Sequence, residues 1–236
     1  MSNENTTGEQ QPGTLIASGR AADVFDLGDG TVLRRYRSDH DVAAEGRLMR
    51  WLASAGIPVP IVHRAEGRDL VMERVDGPTM LDDLQRRPWR LWQHTKTLAE
   101  MQRRINAVMA PSWATAPNAG LAGDVVVHGD LHPMNVLLGP TGPVVIDFTN
   151  AGRGSAAFDA AISFVLMSTF ETSGVIDRVG QRFLVRGFRR SRGADLVDQG
   201  LADACDYRLA DTNVTDGERR RVTALRSTRS AAPRDL

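Results

Sequence analysis

The sequence predicts an α+β chain in which a small, strand-rich N-terminal lobe precedes a larger, mainly helical C-terminal lobe. Three observations lead there. Short runs of branched and aromatic residues, punctuated by glycine, fill the region up to about residue 76. From residue 79 onward, apolar residues recur mostly at helical spacing. A pair of short valine- and leucine-rich runs around residues 135–146 interrupts that helical part. Helices and strands place their apolar residues at different periods, so the pattern separates the two kinds of element.

Residues 1–13 are polar and almost free of branched or aromatic side chains, and read as a disordered tail. The N-lobe then spans 14–76. Leu15-Ile16, Val24-Phe25 and Thr31–Tyr36 read as strands, separated by Ser18-Gly19-Arg20 and by Gly28-Asp29-Gly30, a hairpin-turn signal. Alternation along the third strand puts Val32, Arg34 and Tyr36 on one face and Leu33 and Arg35 on the other. Asp41–Leu52 carries a helical pattern that Gly56 and Pro58 terminate. Asp69 starts another strand, which ends at the Gly77-Pro78 break and marks the connection to the C-lobe, 77–226. There, Thr79-Met80-Leu81-Asp82 carries a helix-capping signature. Pro88 opens a longer helix with Leu91, Thr95, Leu98, Met101, Ile105 and Val108 along one stripe. Trp89, Trp92 and Trp113 read as packing residues. Asn135–Leu138 and Val144–Ile146 read as strands joined by the turn-rich Gly139–Pro143. An apolar helix follows to about Phe170, residues 171–222 read as helical, and 227–236 as a loose tail.

A chain of 236 residues, 42% hydrophobic, can bury a substantial core as one domain or two lobes. No apolar run reaches membrane-spanning length, and the N-terminus lacks the charged and apolar regions of a secretory signal, so a cytoplasmic setting is expected. The single cysteine, Cys205, excludes a disulfide framework and a multi-cysteine zinc site; it reads as a small buried apolar residue. With 29 basic and 29 acidic residues, no overall field marks a nucleic-acid binder. Arg189-Arg190 and Arg219–Arg221 have acids nearby, and Asp195, Asp198, Asp203 and Asp206 read as a solvated face. Neither nucleic acid, membrane nor a protein partner is implied.

The chemistry lies in two fragments, His128-Gly129-Asp130-Leu131-His132-Pro133-Met134-Asn135 and Val144-Val145-Ile146-Asp147-Phe148. Phosphoryl transfer asks a protein mainly to position its reactants, neutralise phosphate charge and accept a proton from the attacking hydroxyl. Asp130 suits the proton. Asn135 and Asp147 offer hard oxygen ligands suited to magnesium, and a hairpin joining the fragments would bring the two to one end.

These fragments resemble the catalytic core of the aminoglycoside phosphotransferase and choline kinase-like family, small relatives of protein kinases. Its catalytic loop reads His-Gly-Asp, then Asn after four intervening residues, and its metal-binding Asp opens an Asp-Phe or Asp-Trp pair. The resemblance covers roughly residues 15–170 and implies a two-lobed protein-kinase-like fold. It also implies ATP and Mg2+ as cofactors and a small-molecule hydroxyl as acceptor. Thr149 stands where protein kinases have the glycine of Asp-Phe-Gly, which favours the small-molecule branch. By resemblance, Gly19 lies over nucleotide phosphates, and Arg34 stands where the family has a phosphate-holding Lys, with Glu45 as its ion-pair partner. The hinge Glu73, Arg74 and Val75 meets adenine through its backbone. His128 and Asp159 brace the catalytic loop, while His132 either approaches substrate or caps the loop. The alternative is a catalytically silent nucleotide-binding protein with a regulatory or scaffolding role, suggested by arginine in place of lysine.

Overall fold

The computed structural model describes residues 13–19, 21–115, 123–172 and 174–230. Most of the expected N-terminal tail, residues 1–12, lies outside them. The chain forms two compact units, one containing the residues up to Arg50 and Pro60–Arg74, the other Trp51–Val59 and everything from Val75 onward.

The first unit holds five antiparallel strands, β1 (Thr14–Ser18), β2 (Ala22–Asp26), β3 (Thr31–Tyr36), β4 (Val62–Glu66) and β5 (Asp69–Glu73), in the order β1-β2-β3-β5-β4. Pairing of Leu33 with Val71 and of Arg34 with Leu70 sets the register at the sheet centre, where Leu33 and Leu70 are fully buried. Arg34 and Arg35 separate as the alternation requires: Arg35 forms a bidentate pair with Asp69 at 2.8 and 2.6 Å, and Arg34 turns to a different acid. Strand β4 is not evident from sequence, because Val62-His63-Arg64-Ala65-Glu66 lacks a period of two and buries only Val62. Helix α1 (Ala43–Ser54) buries Leu48, Met49 and Leu52, together with Glu45 in its first turn.

In the second unit, α2 (Met80–Arg86) starts at a full capping box: Thr79 Oγ1 accepts the Asp82 amide at 3.0 Å and Asp82 Oδ2 accepts the Thr79 amide at 3.1 Å. Helix α3 (Leu91–Asn106) buries Thr95, Leu98, Met101 and Ile105 of the expected stripe, with Leu91 half-buried and Val108 half-buried beyond its end, and adds three buried polar residues, His94, Gln102 and Asn106. Trp89 and Trp92 are not packing residues. Trp92 lies on the flank of that stripe and Trp89 in the 3₁₀ turn before α3, leaving them 48% and 75% exposed, whereas Trp113 is half-buried.

Strand β6 (Val125–Val127) leads into the His128 loop, and β7 (Val136–Gly139) and β8 (Gly142–Val145) form the expected hairpin, tightened to a two-residue turn. Asn135 belongs to a 3₁₀ turn, Pro133–Asn135, instead of the strand. Strand β9 (Gly152–Gly154) returns beside β6, and the chain enters α4 (Ala156–Thr169). Helix α4 is apolar nearly all round and buried, as a central core helix must be. Around it lie α5 (Val175–Arg192), α6 (Ala194–Ala210) and α7 (Asp216–Ser230). Helix α7 extends four residues into the stretch expected to be a loose tail. The segment Trp51–Val59 belongs with this unit through its backbone: Pro58 O accepts the Val145 amide at 2.9 Å and Gly56 O accepts Arg104 Nη2 at 2.7 Å. Among the described residues no helix is long and apolar enough to cross a membrane.

Candidate active site

Strand β6 delivers the His128–Asn135 loop against the buried N-terminal part of α4. Asp159, fully buried, accepts the amides of His128 and Gly129 at Oδ1 (3.0 and 2.9 Å) and Asn106 Nδ2 at Oδ2 (2.7 Å). A carboxylate that accepts three donors in a dry interior fixes the loop backbone in one position. Gly129 is required at its place, because its φ is +75° and a Cβ there would lie 2.4 Å from the Asn150 carbonyl oxygen.

His128 ties this loop to the segment after β8 that carries Asp147. Its Nε2 donates to the Ile146 carbonyl at 3.1 Å, its Nδ1 accepts the Asp130 amide at 3.3 Å, and its ring packs 4.7 Å from Phe148. One nitrogen gives a proton and the other receives one, so the ring is held as a neutral tautomer. Full burial also pushes its pKa below the ordinary 6.5. Such a histidine braces and does not shuttle protons. His132 is likewise kept neutral by burial, its pKa down to about 4, with Nε2 3.6 Å from Asp130 Oδ1.

Asp130 and Asn135 meet directly. Asn135 Nδ2 donates to the Asp130 carbonyl at 2.8 Å and lies 3.4 Å from Asp130 Oδ2. Both neighbours are acceptors, so the amide nitrogen must face them and Oδ1 must face away, where it can act as a ligand. Burial raises the Asp130 pKa from 3.8 to about 6, and the charge of Asp147 adds to the rise. At neutral pH this acid is ionised yet poised to take a proton. Asp147 adopts a left-handed backbone, φ 65°, and its Oδ1 accepts the Thr149 hydroxyl at 2.7 Å. Few non-glycine residues adopt this conformation, and such strain tends to concentrate at functional sites. The Ile146 amide donates to Asn135 O at 3.0 Å, holding the two candidate ligands at the open end of the hairpin.

Among the described residues there is no cluster of three or more His, Cys, Asp and Glu suited to a metal. Magnesium keeps waters and binds through one or two carboxylates plus substrate phosphates instead of an all-protein cage. The donor set of Asn135 and Asp147 fits that habit.

The residues expected at the nucleotide fall in the first unit, except Val75. Arg34 Nη1 lies 3.2 Å from Glu45 Oε1, the pair nearly buried at 12% and 3% side-chain exposure. Tyr36 completes the cluster, donating to Glu45 Oε2 at 2.8 Å while its ring lies 4.9 Å from the Arg34 guanidinium carbon. Sequence reading placed Tyr36 on the Arg34 face without giving it this role. Gly19 is exposed in a tight turn, its amide bonded to Ala22 O at 2.9 Å. The amides of Glu73 and Arg74 are committed to Ile61 O (2.8 Å) and Gly30 O (2.9 Å), and the Arg74 side chain pairs with Asp26. Glu73 and Arg74 therefore cannot offer amide donors to a base. Of the acids on α6, Asp198 pairs with Arg189 and Asp206 with Arg226.

Residues 12–88 and 62–194 match the phosphotransferase enzyme family. The chain belongs to that family. Its fold is shared with aminoglycoside phosphotransferases of known structure. The apo form of a thermostable mutant of APH(4)-Ia is 18% identical, with 92% of this chain and 94% of that one covered at a TM-score of 0.65. The streptomycin–ATP ternary complex of APH(2")-IIa is 13% identical, with 82% of each chain covered at 0.58. ADP-bound APH(2'')-Ib is 14% identical, with 91% of each covered at 0.55. No curated protein sequence matches significantly. Family membership identifies an enzyme, a phosphotransferase, and the shared fold is the kinase-like architecture the sequence predicts.

Proposed function

We propose that this enzyme transfers the γ-phosphoryl group of ATP, with Mg2+, to a hydroxyl of a small molecule, in a cytoplasmic setting. The observation that carries the reading is the Asp130 carboxylate, set beside Asn135 and lifted by burial to about 6. Asp130 orients the acceptor hydroxyl and takes its proton as the oxygen bonds to phosphorus and ADP leaves. Asn135 Oδ1 and the Asp147 carboxylate are the ligands for the metal. Magnesium, when bound, draws off the negative charge of the phosphates. Arg34, stiffened by Glu45 and Tyr36, contacts the phosphates through its planar fork, and Gly19 covers them. Since two hinge amides are already engaged, the adenine would be met by carbonyl oxygens of Glu73 and Arg74 or by the backbone of Val75.

The acceptor class is tested by ADP release with ATP and magnesium over a panel of streptomycin, gentamicin, hygromycin B, macrolides, choline, sugars and amino alcohols. Turnover with one class, lost in Asp130→Asn, is expected. ATP binding by calorimetry without any turnover would instead favour the silent nucleotide-binding reading.

A further inference from the structure

Helix α5 ends on Arg192, only 9% exposed, yet among the described residues the two hydrogen-bond partners of this cation are neutral amides. Its Nε donates to Gln102 Oε1 at 2.9 Å and its Nη2 donates to Asn106 Oδ1. Each amide passes the contact on. Gln102 Nε2 donates to the Asp159 carbonyl and to Ser163 Oγ, both at 2.8 Å. Asn106 Nδ2 donates to Asp159 Oδ2 at 2.7 Å and to the Val126 carbonyl at 3.0 Å. Asp159 Oδ1 then holds the His128 and Gly129 amides, immediately before Asp130.

The relay is directional. Arg192 has only donors to give, so it forces both amide oxygens toward itself and both nitrogens toward Asp159. Were either amide reversed, donor would face donor at one end and acceptor would face acceptor at the other. A guanidinium fork can meet two oxygens at once, whereas a lysine ammonium on a single stem is a point charge. The buried cation and the buried carboxylate also offset one another across a single amide, which a neutral residue at position 192 would not do.

We infer that Arg192 is a positioning residue for phosphoryl transfer: through Asn106 and Asp159 it fixes the height of the catalytic loop and so the place of Asp130. The inference rests on Asp130 as the base. A displacement of about 1 Å at such a group costs on the order of a hundredfold in rate.

The test uses the full chain carrying Arg192→Met, Arg192→Lys, Asn106→Ala and the pair Arg192→Met/Asn106→Ala, with Arg226→Met as a surface control. Arg192→Met should lower kcat roughly 10- to 100-fold with KM for ATP within about twofold, and the double variant should lose no more than the worse single one. Arg192→Lys, which keeps the charge and reaches one oxygen, should fall between parent and Met variant. Hydrogen exchange at the His128 and Gly129 amides should quicken in Arg192→Met while the amides of α4 keep their protection. Unchanged exchange at those two amides, multiplicative losses in the double variant, or a fully active Lys variant would overturn the inference. If the parent shows no turnover with any acceptor, the proposed function fails, and the exchange measurement still decides whether the relay holds the loop. Should Arg192→Met not fold, the Lys variant decides by the same two readouts.

Discussion

Replacing Asp130 with asparagine should make the protein more stable at neutral and alkaline pH, by an amount that depends on pH. The carboxyl moves from 3.8 in the open chain to about 6 in the fold, because burial disfavours its charged form. The folded state therefore binds the proton more tightly, and between these two values the fold holds more protons than the unfolded chain. Stability must fall as pH rises through that window and stay reduced above it. At ~1.4 kcal/mol per pH unit, the full cost above pH 7 is about 3 kcal/mol, trimmed toward 2 because the side chain is 27% exposed. At pH 4.5 the same linkage leaves a cost of only about 1 kcal/mol. Asparagine keeps the shape and still offers an oxygen to Asn135 Nδ2, but has no proton to lose, so the slope disappears. Urea unfolding in magnesium-free buffer at pH 4.5 and pH 8, followed by tryptophan fluorescence, measures the gap directly. A parent–variant difference that does not widen between the two pH values, or a variant less stable at pH 8, would refute the claim that burial strains Asp130.

Three further outcomes follow from the geometry. Since a general base works only when ionised, kcat/KM should decline below about pH 6, with a limiting slope of one per pH unit; a flat profile down to pH 4.5 would remove Asp130 from the role. Gly129→Ala places a Cβ 2.4 Å from the Asn150 carbonyl oxygen in a left-handed backbone, so thermal denaturation should show a loss of about 3 kcal/mol. Glu45→Ala strips the buried acceptor from both Arg34 and Tyr36, and should cost about 2–3 kcal/mol while raising KM for ATP roughly tenfold; unchanged ATP binding by calorimetry would take Arg34 away from the phosphates.

What the sequence made readable was whatever is local. The capping box at Thr79, the hairpin between Asn135 and Asp147 and the buried helix after Gly154 all depend on residues a few positions apart, so spacing alone reports them. Arg34 with Glu45 was reachable because strand alternation puts the two arginines on opposite faces and the family resemblance supplies an early helical acid as the partner of the strand cation. The Gln102, Asn106 and Arg192 contacts were not reachable. Arg192 lies 86 and 90 residues from its partners, and an arginine at a helix end next to Gly193 is indistinguishable in sequence from a solvated one. Trp89 and Trp92 misled for the opposite reason: their size suggested packing, but position decides burial, and Trp92 sits off the stripe while Trp89 lies in the turn before the helix.

The local strain and its compensation occupy different parts of the chain, and this bears on how the site works. Within residues 128–150 the protein accepts a left-handed Asp147, a carbonyl crowding Gly129, a buried His128 and a half-buried His132 both held neutral, and an acid whose charge the interior resists. None of these would persist in an isolated loop, since each costs on the order of 1–3 kcal/mol. They persist because Asp159 is anchored from α3 and, through the amides, from the end of α5, while His128 fastens the loop to Ile146. Substitutions in the supporting helices should therefore be felt first as loss of alignment at Asp130, before they are felt as unfolding. That ordering separates a scaffold that merely tolerates its active site from one that holds it under constraint.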